Sequence, residues 1–445
     1  MAPPPAPQCA LQDGAEFTIA RYHNRPAQPL RRRFERGCGA TLCLLSLLLG
    51  ACGSPPVAVD GGAPTPRGSQ LPGLSLRPDA APVLSWVEGT PTGHRLVYAV
   101  RENGGWGIPQ VVAEGTDWFV NWADVPSVVP LSDRLWAAHW LVKQPGGMYA
   151  YDIALALSRD GGTSWDPPRR PYDDTSPTEH GFVSLWPAPQ ADGTTAVGVA
   201  WLDGRHSLLD AAASTTYDPR TSLRSRVFDA QGRPLSASVI DDRVCDCCPT
   251  DVALSPDGPI VVYRDRSPEE VRDIAAARFA DGAWRALGRV ADDDWTITGC
   301  PVNGPAVASR RADLAIAWYT EAGGRHRVRV VRGSPDGDWG TALELGKASA
   351  LGRVSIAWLD GDETAVAWLE DTGNGKAVLR VARVAGTESG APVDVAELDS
   401  ARPSGMPRLV RDGDGLLLAW TRWRDGAPQV TTARLPLASL PGLKP

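Results

Sequence analysis

The sequence predicts an all-β chain, a β-propeller of four-stranded antiparallel blades, and three observations carry that prediction. First, a short apolar strand ending in an aromatic residue recurs at Trp86, Trp140, Trp201, Tyr263, Trp318, Trp368 and Trp420, 50 to 62 residues apart. That is about the length of one blade. Second, each of these strands is followed by a polar turn and a second short, partly alternating strand, such as RLVYAV from Arg95 and RVRVVR from Arg327. Half-buried antiparallel strands read this way. Third, the 445 residues include 46 Gly, 40 Pro and 17 Trp. This composition suits many turns and about one large buried ring per repeat. Seven second-strand segments predict seven blades. Six is the alternative, because a closing blade shared between the termini through Leu71 to Leu76 alters the count.

Residues 1–51 read as a leader and signal peptide. Arg31, Arg32, Arg33 and Arg36 precede a short apolar run from Ala40 to Gly50, too short to span a bilayer. Leu49-Gly50-Ala51-Cys52 resembles a bacterial lipobox, which implies cleavage before Cys52 and lipid on that residue. Residues 52–70 are rich in Pro, Gly and Ala and read as a flexible tether. Residues 71–445 are then the propeller. The formal charge of the whole chain is -7, and losing the Arg-rich leader makes the mature chain about -10. With no basic block, nucleic acid is excluded as a partner. The expected partners are the membrane, through the lipid anchor, and a glycan or another envelope protein. The expected state is a monomer in the bacterial cell envelope, at the outer membrane.

The second strand of each early blade runs into a turn that tolerates positive φ. Asn103-Gly104-Gly105-Trp106, Asp281-Gly282-Ala283-Trp284 and Asp336-Gly337-Asp338-Trp339 occupy equivalent places, and Asp229 to Gly232 is a version without Trp. The fullest version is SRDGGTSW, Ser158 to Trp165. Its Asp and Ser can bond backbone N–H groups of the turn, and its Trp has a large apolar body to bury. This stretch resembles the Asp box of sialidase-like propellers. The resemblance implies a hairpin between the third and fourth strands of a blade. It also implies that a ligand lies on the opposite face, where blade-entry loops and second-to-third-strand turns meet over the axis.

Those connections bear Trp122, Asp124, His180, Cys245, Cys247, Cys248, Cys300, Asn303, Arg353 and Arg408 in the entry loops. The turns add Asp203, Arg205, His206, Arg264, Asp265, Arg266, Glu269, Glu270, Arg272, Asp273 and Glu321. Sialidases clamp a carboxylate with three Arg, use an Asp as acid/base, and use a Tyr activated by a Glu as nucleophile. The resemblance thus implies candidates by face alone. Arg205, Arg264, Arg266, Arg353 and Arg408 are candidates for the clamp, because an Arg fork suits a carboxylate. Asp124 is the candidate acid, and Tyr263 or Tyr319 with Glu321 the nucleophile pair. His180, His206, Arg272 and Asn303 are expected to line the ligand. The early Arg-Ile-Pro motif of sialidases is absent, and the CDCC loop is foreign to them. A salt-bridge ladder of Arg264 and Arg266 against Glu269, Glu270 and Asp273 is the competing expectation for the fourth blade.

Apart from Cys52, the mature chain keeps only Cys245, Cys247, Cys248 and Cys300. All four fall in two consecutive entry loops, and the Cys-Pro pairs place Cys248 and Cys300 at matching positions. Two disulfides fit an oxidising compartment, with three connectivities open. A thiolate site for copper or zinc is the alternative. The functional expectation is a lipid-anchored propeller that binds a ligand on this face, with sialidase-like hydrolysis and a metal or redox module as alternatives.

Overall fold

The computed structural model describes residues 59–207 and 219–443. Seven small antiparallel sheets follow one another along the chain, as seven blades. Each begins with an inner strand: Ser69–Leu76, Ser127–Pro130, His180–Pro189, Asp251–Ser255, Ala306–Arg310, Ala350–Trp358 and Arg408–Asp412. The second strands are Pro82–Gly89, Trp136–Lys143, Thr195–Asp203, Gly258–Arg264, Asp313–Thr320, Thr364–Gly373 and Gly415–Arg424. They are buried on both faces because a neighbouring blade covers each side, so they read as near-continuous apolar runs rather than alternating ones. The clusters of the core lie between sheets. Trp368 of the sixth blade packs with Ala315, Ala317 and Val330 of the fifth.

A repeated device satisfies the indoles of three blades. Trp86, Trp201 and Trp368 each donate Nε1–H to an acid two residues on, Glu88 at 2.6 Å, Asp203 at 2.8 Å and Glu370 at 3.3 Å. An Arg then neutralises each acid: Arg95, Arg205 and Arg380. A buried Trp needs this partner for its N–H, and a buried carboxylate needs its counter-ion.

The second blade has three named strands, the third being Tyr151–Ser158. Its outer edge is reduced to one bridge, Arg169 with Leu155, because Pro167, Pro168 and Pro171 cannot donate to a ladder. The turn Ser158 to Trp165 is organised by its own side chains. Ser158 Oγ accepts from Gly162 N at 2.8 Å and Asp160 Oδ1 from Ser164 N at 2.9 Å. Tyr98 of the first blade donates to Gly162 O at 3.0 Å, so the turn ties two blades together.

The termini share the closing blade through a different segment from the one expected. Val59–Asp60 pairs with Ala427–Pro436, Val59 opposite Arg434, while Leu71 to Leu76 belongs to the inner strand of the first blade. The stretch 59–70, expected as part of a tether, therefore belongs to the propeller. Thr65 Oγ1 donates to Val430 O at 2.6 Å, and Ser69 Oγ accepts from Val430 N at 2.9 Å. Trp86 packs on Ala419 and Val430 across this seam. Cys52 and the leader lie outside the described residues. Among the described residues no helix is long and apolar enough to cross a membrane.

Candidate functional site

The inner strands of all seven blades line an axial cavity of ≈ 330 Å³. Several of them enter through a bulge with a left-handed residue at its start: Leu71 (φ 58), Phe182 (φ 53) and Arg353 (φ 54). The bulges turn backbone N–H groups toward the preceding blade, where side chains receive them. Asp124 Oδ2 accepts from Phe182 N at 2.9 Å, and Asn303 Oδ1 accepts from Arg353 N at 2.7 Å. Gly181 and Gly352 sit beside these acceptors; a Cβ at either would run into the Asp124 or the Asn303 side chain.

Asp124 belongs to an acid group that the entry face assembles around a tyrosine. Tyr151 hydroxyl lies 2.6 Å from Glu179 Oε1 and 3.2 Å from Asp124 Oδ2. Tyr151 opens the third strand of the second blade, its ring stacked on Phe119 at 4.2 Å. Asp124 and Tyr151 are each 1% exposed, whereas Glu179 is half-buried. Burial pushes the Asp124 carboxyl up to about 7, against the Phe182 N–H. Burial likewise pushes Glu179 up to about 8, helped by the negative charge of Asp246 and Asp124. Burial and the two carboxylates raise the Tyr151 phenol well above its ordinary value. Asp124 and Glu179 can therefore donate and accept protons near neutral pH, and Glu179 is the most accessible of the three.

The guanidinium groups expected to clamp a carboxylate are committed elsewhere. Arg264, 1% exposed, gives Nε and Nη2 to Asn303 O at 3.0 and 2.8 Å, Nη1 to Arg272 O at 2.6 Å, and Nη2 also to Tyr319 O at 2.8 Å. It also stacks over Trp295, 4.8 Å from the ring centroid. It is a tie between the fourth and fifth blades, neither a clamp nor a rung of the expected ladder. Arg266 pairs with Glu270 at 2.6 Å, and Arg272 pairs with the same Glu270 at 2.7 Å. Asp273 turns instead to Arg289 at 3.0 Å. Arg205 belongs to the Trp-and-acid device of the third blade. Arg353 reaches Gly405 O at 3.2 Å and lies over Trp122 at 4.8 Å. Arg408 lines the axial cavity with Asp251; burial drives its guanidinium below its ordinary value and Asp251 opposes this.

The expected nucleophile pairs do not form. Tyr319 hydroxyl meets His326 Nδ1 at 2.6 Å, and Glu321 lies 3.7 Å from His326. Tyr263 donates to Asp241 at 2.8 Å. His180 is fully buried, stacked on Tyr172 at 4.3 Å with Asp174 3.1 Å away. It is therefore a packed side chain and not a ligand contact. His206 is half-buried among Arg224, Arg220 and Arg205, and burial followed by these charges keeps it below its ordinary value. Asn303 is the acceptor for the Arg353 bulge. Sequence reasoning missed Tyr151 and Glu179. Glu179 immediately precedes His180 in the same entry loop, and reading every acid of that loop finds it.

The cysteines converge as expected, with one pairing settled. Cys247 and Cys300 form a disulfide, Cα to Cα 6.2 Å, which joins the fourth and fifth entry loops and removes this pair from the expected thiolate set in this form. Cys245 and Cys248 are free and buried. Cys245 Sγ lies 3.5 Å from Cys248 Sγ and 3.8 Å from Cys247 Sγ. Arg272 Nη1 donates to Cys245 Sγ at 3.3 Å. Burial pushes the Cys245 thiol well up. Burial acts the same way on Cys248, but the hydrogen bond from Cys245 and the Arg264 charge outweigh it and bring that thiol below its usual value.

Fold and entry face together define a seven-bladed β-propeller with an acid–phenol group and a cysteine cluster on one rim. No family model matches the chain, and no curated protein matches it. Solved structures do. An ulvan lyase of a polysaccharide lyase family aligns with a TM-score of 0.51 at 12% identity over 85% of this chain and 96% of that one. The same kind of enzyme with a bound sugar gives 0.50 at 11% identity, over 83% and 94%. The intramolecular trans-sialidase from Ruminococcus gnavus gives 0.42 at 11% identity, over 85% and 96%. The chain shares the fold of the two ulvan lyase structures.

Proposed function

We propose that this propeller binds a glycan on its entry face, over Asp124, Tyr151 and Glu179, as a lipid-anchored monomer of the bacterial envelope. The observation that carries the glycan reading is the Tyr151 phenol holding two carboxyl groups, 2.6 and 3.2 Å away, on the entry face. Carboxyl groups of this kind bond sugar hydroxyls. On the same face, Trp423, 38% exposed, offers an indole for a sugar ring to stack on. The likeness to an ulvan lyase, whose structure was determined with a sugar bound, supports this reading. The envelope assignment rests on the Leu49-to-Cys52 sequence, and the disulfide suits an oxidising compartment.

The test is binding of the chain from Cys52 onward to immobilised acidic and neutral glycans. Glu179→Gln should weaken binding about tenfold, the ~1.4 kcal/mol of one hydrogen bond, with the melting temperature kept. No binding across the panel, or unchanged affinity in the variant, overturns the proposal. Loss of radiolabelled palmitate in Cys52→Ser tests the anchor.

Glycoside cleavage is the second reading, favoured by the Tyr151–Glu179 contact. Glu179, protonated at neutral pH, is in the state of a general acid. Sialoside cleavage is the less favoured form of it, because Arg205, Arg264, Arg266 and Arg353 are already engaged. Release of methylumbelliferone from a set of glycosides, lost in Glu179→Gln, tests it; no release from any of them sets it aside.

A further inference from the structure

We propose that Cys245, Cys247, Cys248 and Cys300 are also a four-thiolate zinc site, an alternative state of the same cluster to the one in which Cys247 and Cys300 are bonded. Three of the sulfurs, Cys245, Cys247 and Cys248, lie within 4.8 Å of one another, and all three residues are buried. Cys300 is bonded to Cys247 and lies with it and Asp246 rather than with Cys245 and Cys248, so it moves in as the fourth sulfur once that bond is reduced. Zinc–thiolate bonds of about 2.3 Å in a tetrahedron put neighbouring sulfurs about 3.8 Å apart. The spacings from Cys245 are 3.5 Å to Cys248 and 3.8 Å to Cys247, so the loop already holds two edges of that figure.

The surroundings fit the same assignment. A tetrathiolate zinc centre carries two negative charges and needs donors and cations around its sulfurs. Arg272 supplies one, with Nη1 3.3 Å from Cys245 Sγ. The loop is also fixed from outside: Cys245 N donates to Arg264 O at 3.0 Å, and Arg264 is anchored on three carbonyls. Sulfur is the only ligand type needed, and the sequence places all four cysteines of the propeller in two adjoining entry loops.

The two states interconvert with a balanced exchange. An external dithiol reduces the Cys247–Cys300 bond, giving up two electrons and two protons, and closes to its own disulfide. Zinc then displaces the four thiol protons. Oxidation of the loaded site runs the other way and releases the ion.

The test uses the chain from Cys52 onward, reduced without oxygen and titrated with cobalt(II) as the probe. The expected result is one equivalent bound, with thiolate-to-cobalt charge-transfer absorption and tetrahedral d–d bands, displaced by zinc(II). The bound ion protects four thiols from alkylation. The bands are absent from the oxidised chain and are lost in both Cys245→Ser and Cys300→Ser. A reduced chain that keeps its native circular dichroism and shows no such bands overturns the proposal. So do bands that persist in Cys300→Ser, because they would mean a site without the fourth sulfur.

Discussion

Replacing Arg264 by Met separates a structural tie from a ligand clamp. The substitution keeps the length of the side chain and removes every donor. Three carbonyls, of Asn303, Arg272 and Tyr319, then lose the guanidinium that reaches them inside the protein. A buried acceptor stripped of its partner costs about 1–3 kcal/mol, and the stacking on Trp295 adds about 1–2 kcal/mol. The apolar methionine returns about 2 kcal/mol through burial. Three such acceptors cost about 3–9 kcal/mol together, so with the stacking added and the burial subtracted the net loss is about 2–9 kcal/mol. Urea denaturation followed by tryptophan fluorescence measures it, with the slope against denaturant kept as evidence that the unfolded state is the same. A loss under about 1 kcal/mol, with glycan binding abolished, would refute the structural assignment and restore Arg264 as a ligand contact.

Three further predictions follow from the same geometry. Burial raises the Asp124 carboxyl from 3.8 to about 7, so between those values the folded chain holds a proton that the unfolded chain has released. Stability therefore falls as pH rises through that window, by roughly 4 kcal/mol at about 1.4 kcal/mol per pH unit. Asp124→Asn reduces the slope of the urea midpoint against pH, and an unchanged slope refutes the assignment. Gly181→Ala forces a methyl against the Asp124 carboxyl and the Tyr151 ring, costing about 1–3 kcal/mol and weakening glycan binding; a variant as stable as the parent, with full binding, contradicts the packing described. A chain that starts at Leu71 loses the closing strand and its hydrogen bonds to Val430 and Thr432. Its melting temperature falls by about 5–10 °C and its bared edge associates, which calorimetry and light scattering read; an unshifted monomer refutes the closure.

The blades were legible in the sequence because their signal is local and repeated. A second strand covered on both faces must be apolar throughout, and the turns after it need Gly or Asn. The position of Asp124 on the entry face was legible for the same reason, since strand order alone decides which end of a blade a loop occupies. The fate of Arg264 was not. Its partners are carbonyls of the next blade, and a backbone carbonyl carries no sequence signature. Tyr151 looked like the first residue of a buried strand, which it is. Its hydroxyl finds two acids because the entry loops of the second and third blades bring Asp124 and Glu179 to it, and contacts between loops of different blades leave no local pattern. The cysteines were legible as a cluster but not as a pairing: Cys248 and Cys300 align in adjacent blades, yet Cys247 makes the bond, because the choice depends on how the loop folds.

The seam between Val59 and Arg434 also governs how the molecule comes into being. Its partners stand almost a full chain apart, so the ring is not whole until the last hairpin of the seventh blade has been made. Until the last hairpin emerges, the first and sixth blades each present an apolar flank to solvent. Such a topology folds slowly and late, and makes the closing hairpin, rather than any loop of the entry face, the step on which all the others wait.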